Sequence, residues 1–125
     1  VGHSVFSTKR NVSENYEEVE GIVFSDWLKE NVKGYQMAFN ILKVNIEGAE
    51  WYLFNDLVKS GVHENIDVYC GQGHDVEKVG ELEDKVEAYY QLLKDNDIGL
   101  YRFTEYLPHE NDDIISVIKE KMRLY

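Results

Sequence analysis

The chain has little cysteine, little proline and a shortage of positive charge. A single cysteine, Cys70, excludes an intramolecular disulfide framework and a cysteine-rich zinc site. A single proline, Pro108, leaves residues 1–107 without the punctuation that would divide them into two domains. No apolar run approaches the ~18 residues of a membrane span, and no charged-then-apolar leader opens the sequence. Lys and Arg number 13 against 24 Asp and Glu, for a formal net charge of −11. Such acidity argues against a nucleic-acid backbone or an anionic membrane as partner, because both carry the same sign. From these absences, no membrane association and a cytoplasmic location are the default expectations.

What is present suits a folded domain. With 125 residues, 43% hydrophobic and 13% aromatic, the chain can build a core, and its length fits one domain. It begins at Val1 rather than Met, a hint of a longer gene product, although processing or a removed tag would look the same.

The pattern alternates strand and helix. Residues 4–6 read as a short strand, 11–20 as a loop and 19–24 as a strand ending at Ser25. Ser25 is a natural N-cap for a helix running to Val32, with Asp26 in its first turn. Residues 41–46 are apolar on both faces, as in a strand covered on both sides. A helix follows, with Ala49, Leu53 and Leu57 on one face and Gly61 where a left-handed cap belongs. Residues 66–70 form a third strand. The segment 79–95 keeps apolar steps of three and four, the mark of a helix. Residues 98–103 make a fourth strand, and Asn111 and Asp112 are candidate caps for a last helix carrying Ile114, Ile115, Ile118 and Met122. This alternation predicts an α/β fold with a parallel sheet and helices on both faces. Ligands in such sheets bind beyond the carboxyl ends of the strands, so 45–50 and 70–75 are the places to inspect.

Chemistry gathers at those two places. Asn45, Glu47 and Glu50 stand at a strand end, a Gly48 turn and a helix start. A carboxylate there is a candidate general base or ligand for a sugar hydroxyl, although chemistry alone favours a plain helix-capping acid. His74 is the best general-base candidate by type, with Asp75 beside it to orient the ring; a solvated turn pair is the alternative. Gly71-Gln72-Gly73 lacks the third small residue of a dinucleotide loop, since Val76 stands in its place. No sequential spacing supports a metal site, and Cys70 reads as packing. Tyr89, Tyr90, Tyr101, Phe103 and Tyr106 are core or strand-face residues, of which one or two are candidates to stack on a sugar ring.

The order of residues in 41–50 is more specific than their chemistry. Ile41-Leu42-Lys43-Val44-Asn45-Ile46-Glu47-Gly48-Ala49-Glu50 resembles the hallmark of the FkbM family of S-adenosylmethionine-dependent O-methyltransferases. Residues 19–28 upstream, and 66–70, 79–95 and 100–104 downstream, are similar in order and spacing. The resemblance implies a Rossmann-like class I methyltransferase sheet in which 41–46 is the fourth strand, beside the first. It implies S-adenosylmethionine as methyl donor and a small-molecule or glycan hydroxyl as acceptor. Glu47 and His74 then become candidates for taking the acceptor's proton, and Asn45, Glu50 and Asp75 for binding substrate or cofactor.

Two departures shape the expectation. Asn45 stands where the family has an acid, and it cannot take up a proton as a carboxylate does. The first three strands and their Gly-rich cofactor loop have no counterpart in these residues. The chain is therefore expected to be the C-terminal portion of such a domain, partial from the fourth strand onward. The alternative is a non-catalytic remnant used for binding or assembly. An unpaired edge on the 41–46 strand would invite self-association.

Overall fold

In a computed structural model of the chain, residues 5–6, 17–104 and 106–123 are described. The apolar runs predicted as central strands pair as β1 (Ile41–Val44), β2 (Val68–Gly71) and β3 (Leu100–Tyr101). All pairings are parallel, in the order β1-β2-β3. Among the described residues there are four α-helices: α1 (Phe24–Asn31), α2 (Glu50–Ser60), α3 (Val86–Asp95) and α4 (Asp112–Met122). Parallel neighbours need crossover connections, and α2 and α3 provide them.

The register sets Leu42, Tyr69 and Leu100 in one row and Lys43, Cys70 and Tyr101 in the next. Strand alternation sends these rows to opposite faces. The first face carries the larger core, in which Phe54 and Leu57 of α2 and Tyr89 of α3 are fully enclosed. Burying side chains of this size stabilises by about 1.5–3 kcal/mol each. The second face is covered by α4, whose Ile114 packs on Val68 and Cys70. The α/β architecture with a parallel sheet and helices on both faces thus stands as expected.

Several expectations fail in detail. Residues 19–23 form no strand, and Phe24 opens α1 instead. Val19, Ile22 and Val23 remain exposed: apolar, β-branched composition does not make a strand without a neighbouring edge to pair with. Of the predicted strand at 4–6, Ser4 lies outside the described residues, and Val5 and Phe6 belong to no strand. Phe6 instead packs in the core, its ring stacked 6.0 Å from that of Tyr52. The fourth predicted strand shrinks to the two residues of β3.

The 79–95 helix is composite. 3₁₀ turns span Asp75–Lys78 and Gly80–Lys85 before α3 begins at Val86. The buried residues Val76, Val79 and Leu82 are three apart, and a 3₁₀ turn eclipses residues at that spacing. From Val86 the steps lengthen through Tyr89 to Leu93, which suits an α-helix.

Two expected caps do other work. Ser25 lies inside α1, and its hydroxyl donates to Asp56 Oδ1 at 2.6 Å while its backbone N–H donates to Oδ2 at 2.8 Å. It docks α1 on α2. Asn111 exchanges hydrogen bonds with the backbone of Thr104, accepting from its N–H at 2.9 Å and donating to its carbonyl at 2.8 Å. It ties the start of α4 to the segment leaving β3. Gly61 does close α2 in the left-handed conformation, with φ of 77°.

Candidate functional site

The carboxyl ends of all three strands open on one side. At the end of β1 the chain passes Asn45 and turns through Glu47 (φ 57°) and Gly48 (φ 113°) into α2. A Cβ on Gly48 would sit 2.5 Å from Val79 Cγ2, so that turn needs glycine for space as well as conformation. At the end of β2, Gly71 has φ of 109°, and a Cβ there would lie 2.1 Å from the Val44 carbonyl oxygen. This contact lets the Gln72 N–H reach the same carbonyl at 2.8 Å, bringing the two strand ends together. The next residue but one is fixed from α3, whose Tyr89 hydroxyl donates to the Gly73 carbonyl at 2.7 Å.

A cleft of about 1040 Å³ lies beyond these strand ends. Lys43 and Asn45 line it from β1, and Gln72 and His74 line it from the loop after β2. Tyr90 closes it from α3, and Arg102 and Thr104 from the segment after β3. Its place, outside the carboxyl ends of a parallel sheet, is where ligands of such folds bind.

The predicted site residues separate here. Asn45 and His74 line the cleft together. Glu47 is half-buried in the β1–α2 turn and does not line it. Glu50 is 0% exposed, on the buried face of α2 with Phe54 and Leu57. Its charge helps to raise the Tyr89 phenol, which is pushed up first by burial, then by Glu50 and Tyr90. Asp75 is also buried, and its Oδ1 accepts a hydrogen bond from Lys78 Nζ at 2.8 Å. His74 Nε2 lies 3.7 Å from that oxygen, beyond hydrogen-bond reach. Asp75 therefore braces the first 3₁₀ turn through Lys78, and the His74 side chain, 57% exposed, remains open to the cleft and to solvent.

The aromatic candidates divide in the same way. Tyr90, Phe103 and Tyr106 line the cleft, whereas Tyr89 is core and Tyr101 faces α4. The Tyr90 hydroxyl donates to Glu77 Oε1 at 2.6 Å. Burial, then the Glu77 contact, pushes this phenol up to about 12, so it acts as a hydrogen-bond donor and not as a base. Cys70 is buried; desolvation raises its thiol while Lys43 pulls it the other way. A thiol held protonated is packing, not a nucleophile. Among the described residues, no group of three or more His, Cys, Asp or Glu is placed to hold a metal ion, and no helix is long and apolar enough to cross a membrane.

Sequence reasoning missed Lys43 and Arg102 as cleft residues. Lys43 was embedded in an apolar strand, where alternation alone left open which face was solvated. Its Nζ lies 4.9 Å from the centroid of the Phe103 ring. Arg102 directly follows the β3 ladder, and Nη2 is ion-paired with Glu110 Oε2 at 2.8 Å. The available signal was position: both are cations at or near a strand's carboxyl end. Comparison with family models, curated proteins and solved structures finds no match to this chain.

Proposed function

We propose that this chain is the acceptor-binding portion of an S-adenosylmethionine-dependent O-methyltransferase of FkbM type. On this reading the sheet is part of a Rossmann-like class I sheet, with β1 as that family's fourth strand. The observation that most supports it is the meeting of Asn45, at the end of the motif strand, with His74 in one cleft past the strand ends.

The acceptor is assigned to the cleft because Asn45, Gln72, His74 and Thr104 in its wall are groups that hydrogen-bond a hydroxylated molecule. His74 is the group there whose ring nitrogen can take the proton of an acceptor hydroxyl. Asn45 offers a carbonyl and an amide to hold that hydroxyl in place. Glu47 and Glu50 stand outside the wall; Glu50 supports the α2 face beneath it.

A non-catalytic binding domain is the second reading. It is favoured by Asn45 in place of the family's acid.

The test supplies isotopically labelled S-adenosylmethionine and a panel of sugars, and follows the label into the sugar by mass spectrometry. Calorimetric titration of the cofactor runs alongside. Transfer above the uncatalysed blank, reduced about 10²-fold or more in His74→Ala, would support the methyltransferase. Sugar binding without cofactor binding or transfer would support the binding domain and overturn the enzyme.

A further inference from the structure

We propose that Tyr90 is the residue that selects a pyranose ring in this cleft, and that Glu77 is the residue that positions it. This rests on reading the cleft as the site of a hydroxylated acceptor and adds which side chains recognise that acceptor.

The Tyr90 ring is held both at its hydroxyl and along its side. The hydroxyl donates to Glu77 Oε1 at 2.6 Å, the short distance of a bond from a hydroxyl to a carboxylate. The ring lies against that of Tyr89, with centroids 5.1 Å apart and planes inclined by 55°, a favourable aromatic arrangement. Tyr89 is fully enclosed in the core, so the backing of Tyr90 is rigid. Burial, then the Glu77 contact, pushes the Tyr90 phenol up to about 12, and it keeps its proton for that bond. Yet Tyr90 stays 40% exposed and lines the cleft. A ring set in place before a ligand arrives spares the entropy of ordering it on binding.

Glu77 is also tied to the candidate base. Its backbone N–H donates to the His74 carbonyl at 3.1 Å, in the 3₁₀ turn Asp75–Lys78 that follows His74. His74, Glu77 and Tyr90 are thus joined by two hydrogen bonds in series, and the ring is placed relative to His74 through one residue. Glu77 itself is exposed. A hydrogen bond at such a surface adds little to stability, because both groups can bond water instead. Its consequence is where the ring stands.

Rings and hydrogen-bonding groups together describe the ligand. Phe103 brings a second, partly exposed ring to the cleft from the segment after β3. Asn45, Gln72 and Thr104 bring neutral donors and acceptors. A flat aromatic ligand would match the rings and leave these polar groups unanswered. An open-chain polyol would match the polar groups and leave the rings idle. A pyranose has a face of C–H groups and a rim of hydroxyls, so it answers both.

The experiment titrates the chain, without cofactor, with methyl glucoside, methyl galactoside, methyl mannoside, sorbitol and phenol, following amide shifts by NMR. The expected result is that at least one glycoside binds about tenfold or more tighter than sorbitol and phenol. Tyr90→Leu should weaken that glycoside about fivefold or more and leave sorbitol unchanged. Tyr90→Phe keeps the ring and loses the bond to Glu77, and Glu77→Ala loses the same bond from the other side. Each should weaken the glycoside several-fold, and the double variant should be no worse than either alone. Glu77→Gln keeps a carbonyl to accept the bond and should bind as the unaltered chain does. Glu77 is exposed, so its variants keep the test valid if Tyr90→Leu disturbs α3. No preference for any glycoside over sorbitol and phenol, or a preference unchanged in Tyr90→Leu, would overturn the proposal. Glu77→Ala binding as the unaltered chain does would overturn the positioning role. Ring-selective binding lost in Tyr90→Leu, with no methyl transfer, keeps this inference and removes the methyltransferase. Methyl transfer to a sugar at a rate unchanged in Tyr90→Leu does the reverse.

Discussion

The Tyr89 hydroxyl donates a 2.7 Å hydrogen bond to the Gly73 carbonyl, joining a fully enclosed aromatic of the core to the loop that carries His74. The phenol ring fills the core while its polar tip satisfies a backbone group at the cleft. Packing of α3 and placement of the candidate base are therefore set by one side chain. Tyr89→Phe keeps the ring and removes the bond, leaving a part-buried carbonyl short of a donor. It should cost about 1–2 kcal/mol in urea unfolding and speed amide exchange across residues 72–75. A change under about 0.3 kcal/mol, which is within ordinary reference-state error, with unaltered exchange would show that something else holds the loop.

Alkaline pH should unfold the chain through its buried phenols. Burial pushes Tyr69 up to about 12, and Tyr89 is raised by burial, then by Glu50 and Tyr90. An unfolded tyrosine titrates near ~10. The unfolded chain thus releases these protons first, and stability falls as pH rises. Stability from these groups should be fully present below about pH 10 and be lost as pH climbs through about 12 and beyond. Tyr90 contributes less, being partly exposed. Tyrosinate absorbance should rise for these groups together with the loss of circular dichroism. Titration of the buried phenols near their ordinary value in a still-folded chain would contradict this.

Gly71→Ala should be severe and Gly99→Ala nearly silent. The first places a methyl group 2.1 Å from the Val44 carbonyl oxygen at a φ of 109°. The β1 and β2 ends would have to part, at a cost of about 3 kcal/mol or more. A Cβ on Gly99 meets nothing within 4 Å, and its φ lies outside the left-handed region. That substitution should change stability by less than about 1 kcal/mol, in the stabilising direction. Thermal melts of the two variants decide it, and similar losses would mean the strand ends are not held as close as described.

Ser25 and Asp56 should behave as a coupled pair. Ser25→Ala removes the hydroxyl bond to a carboxylate, which is worth about 1.5–3 kcal/mol. Asp56→Ala removes both of its bonds to Ser25. The double variant should cost clearly less than the sum of the singles. If Ser25 served as a simple helix cap instead, the two losses would add.

The central features were legible because they depend on local pattern. The run 41–46 contains β1 and the run 66–70 holds all of β2 except Gly71; the Ala49–Leu57 face and Gly61 mark α2. The run at 19–24 misled for a physical reason. Val19, Ile22 and Val23 favour a strand locally, yet a strand exists only where another offers its ladder, and Phe24 gains more by turning into a helix against the core. Ser25 and Asn111 misled similarly, since the first found the Asp56 carboxylate 31 residues away and the second the Thr104 backbone seven residues back.

The candidate site was legible by position and not by membership. Asn45 and His74 could be named because both follow strands, and a parallel sheet collects such ends on one side. Glu47 and Glu50 stand within five residues of Asn45, but the β1–α2 turn carries Glu47 away from the cleft and the helix rotates Glu50 into the core.

By itself the sequence determined the alternation of strand and helix, the acidity and the two strand-end segments worth attention. These follow from periodicity and composition, which are properties of neighbouring residues. Tertiary structure alone decided that Lys43 and Arg102, 59 positions apart in the numbering, share one cleft wall. It also decided that Glu50 is buried and that Tyr89 fixes the His74 loop. Such facts depend on which strand lies beside which and how each helix is rotated, and those are settled by packing the whole core at once.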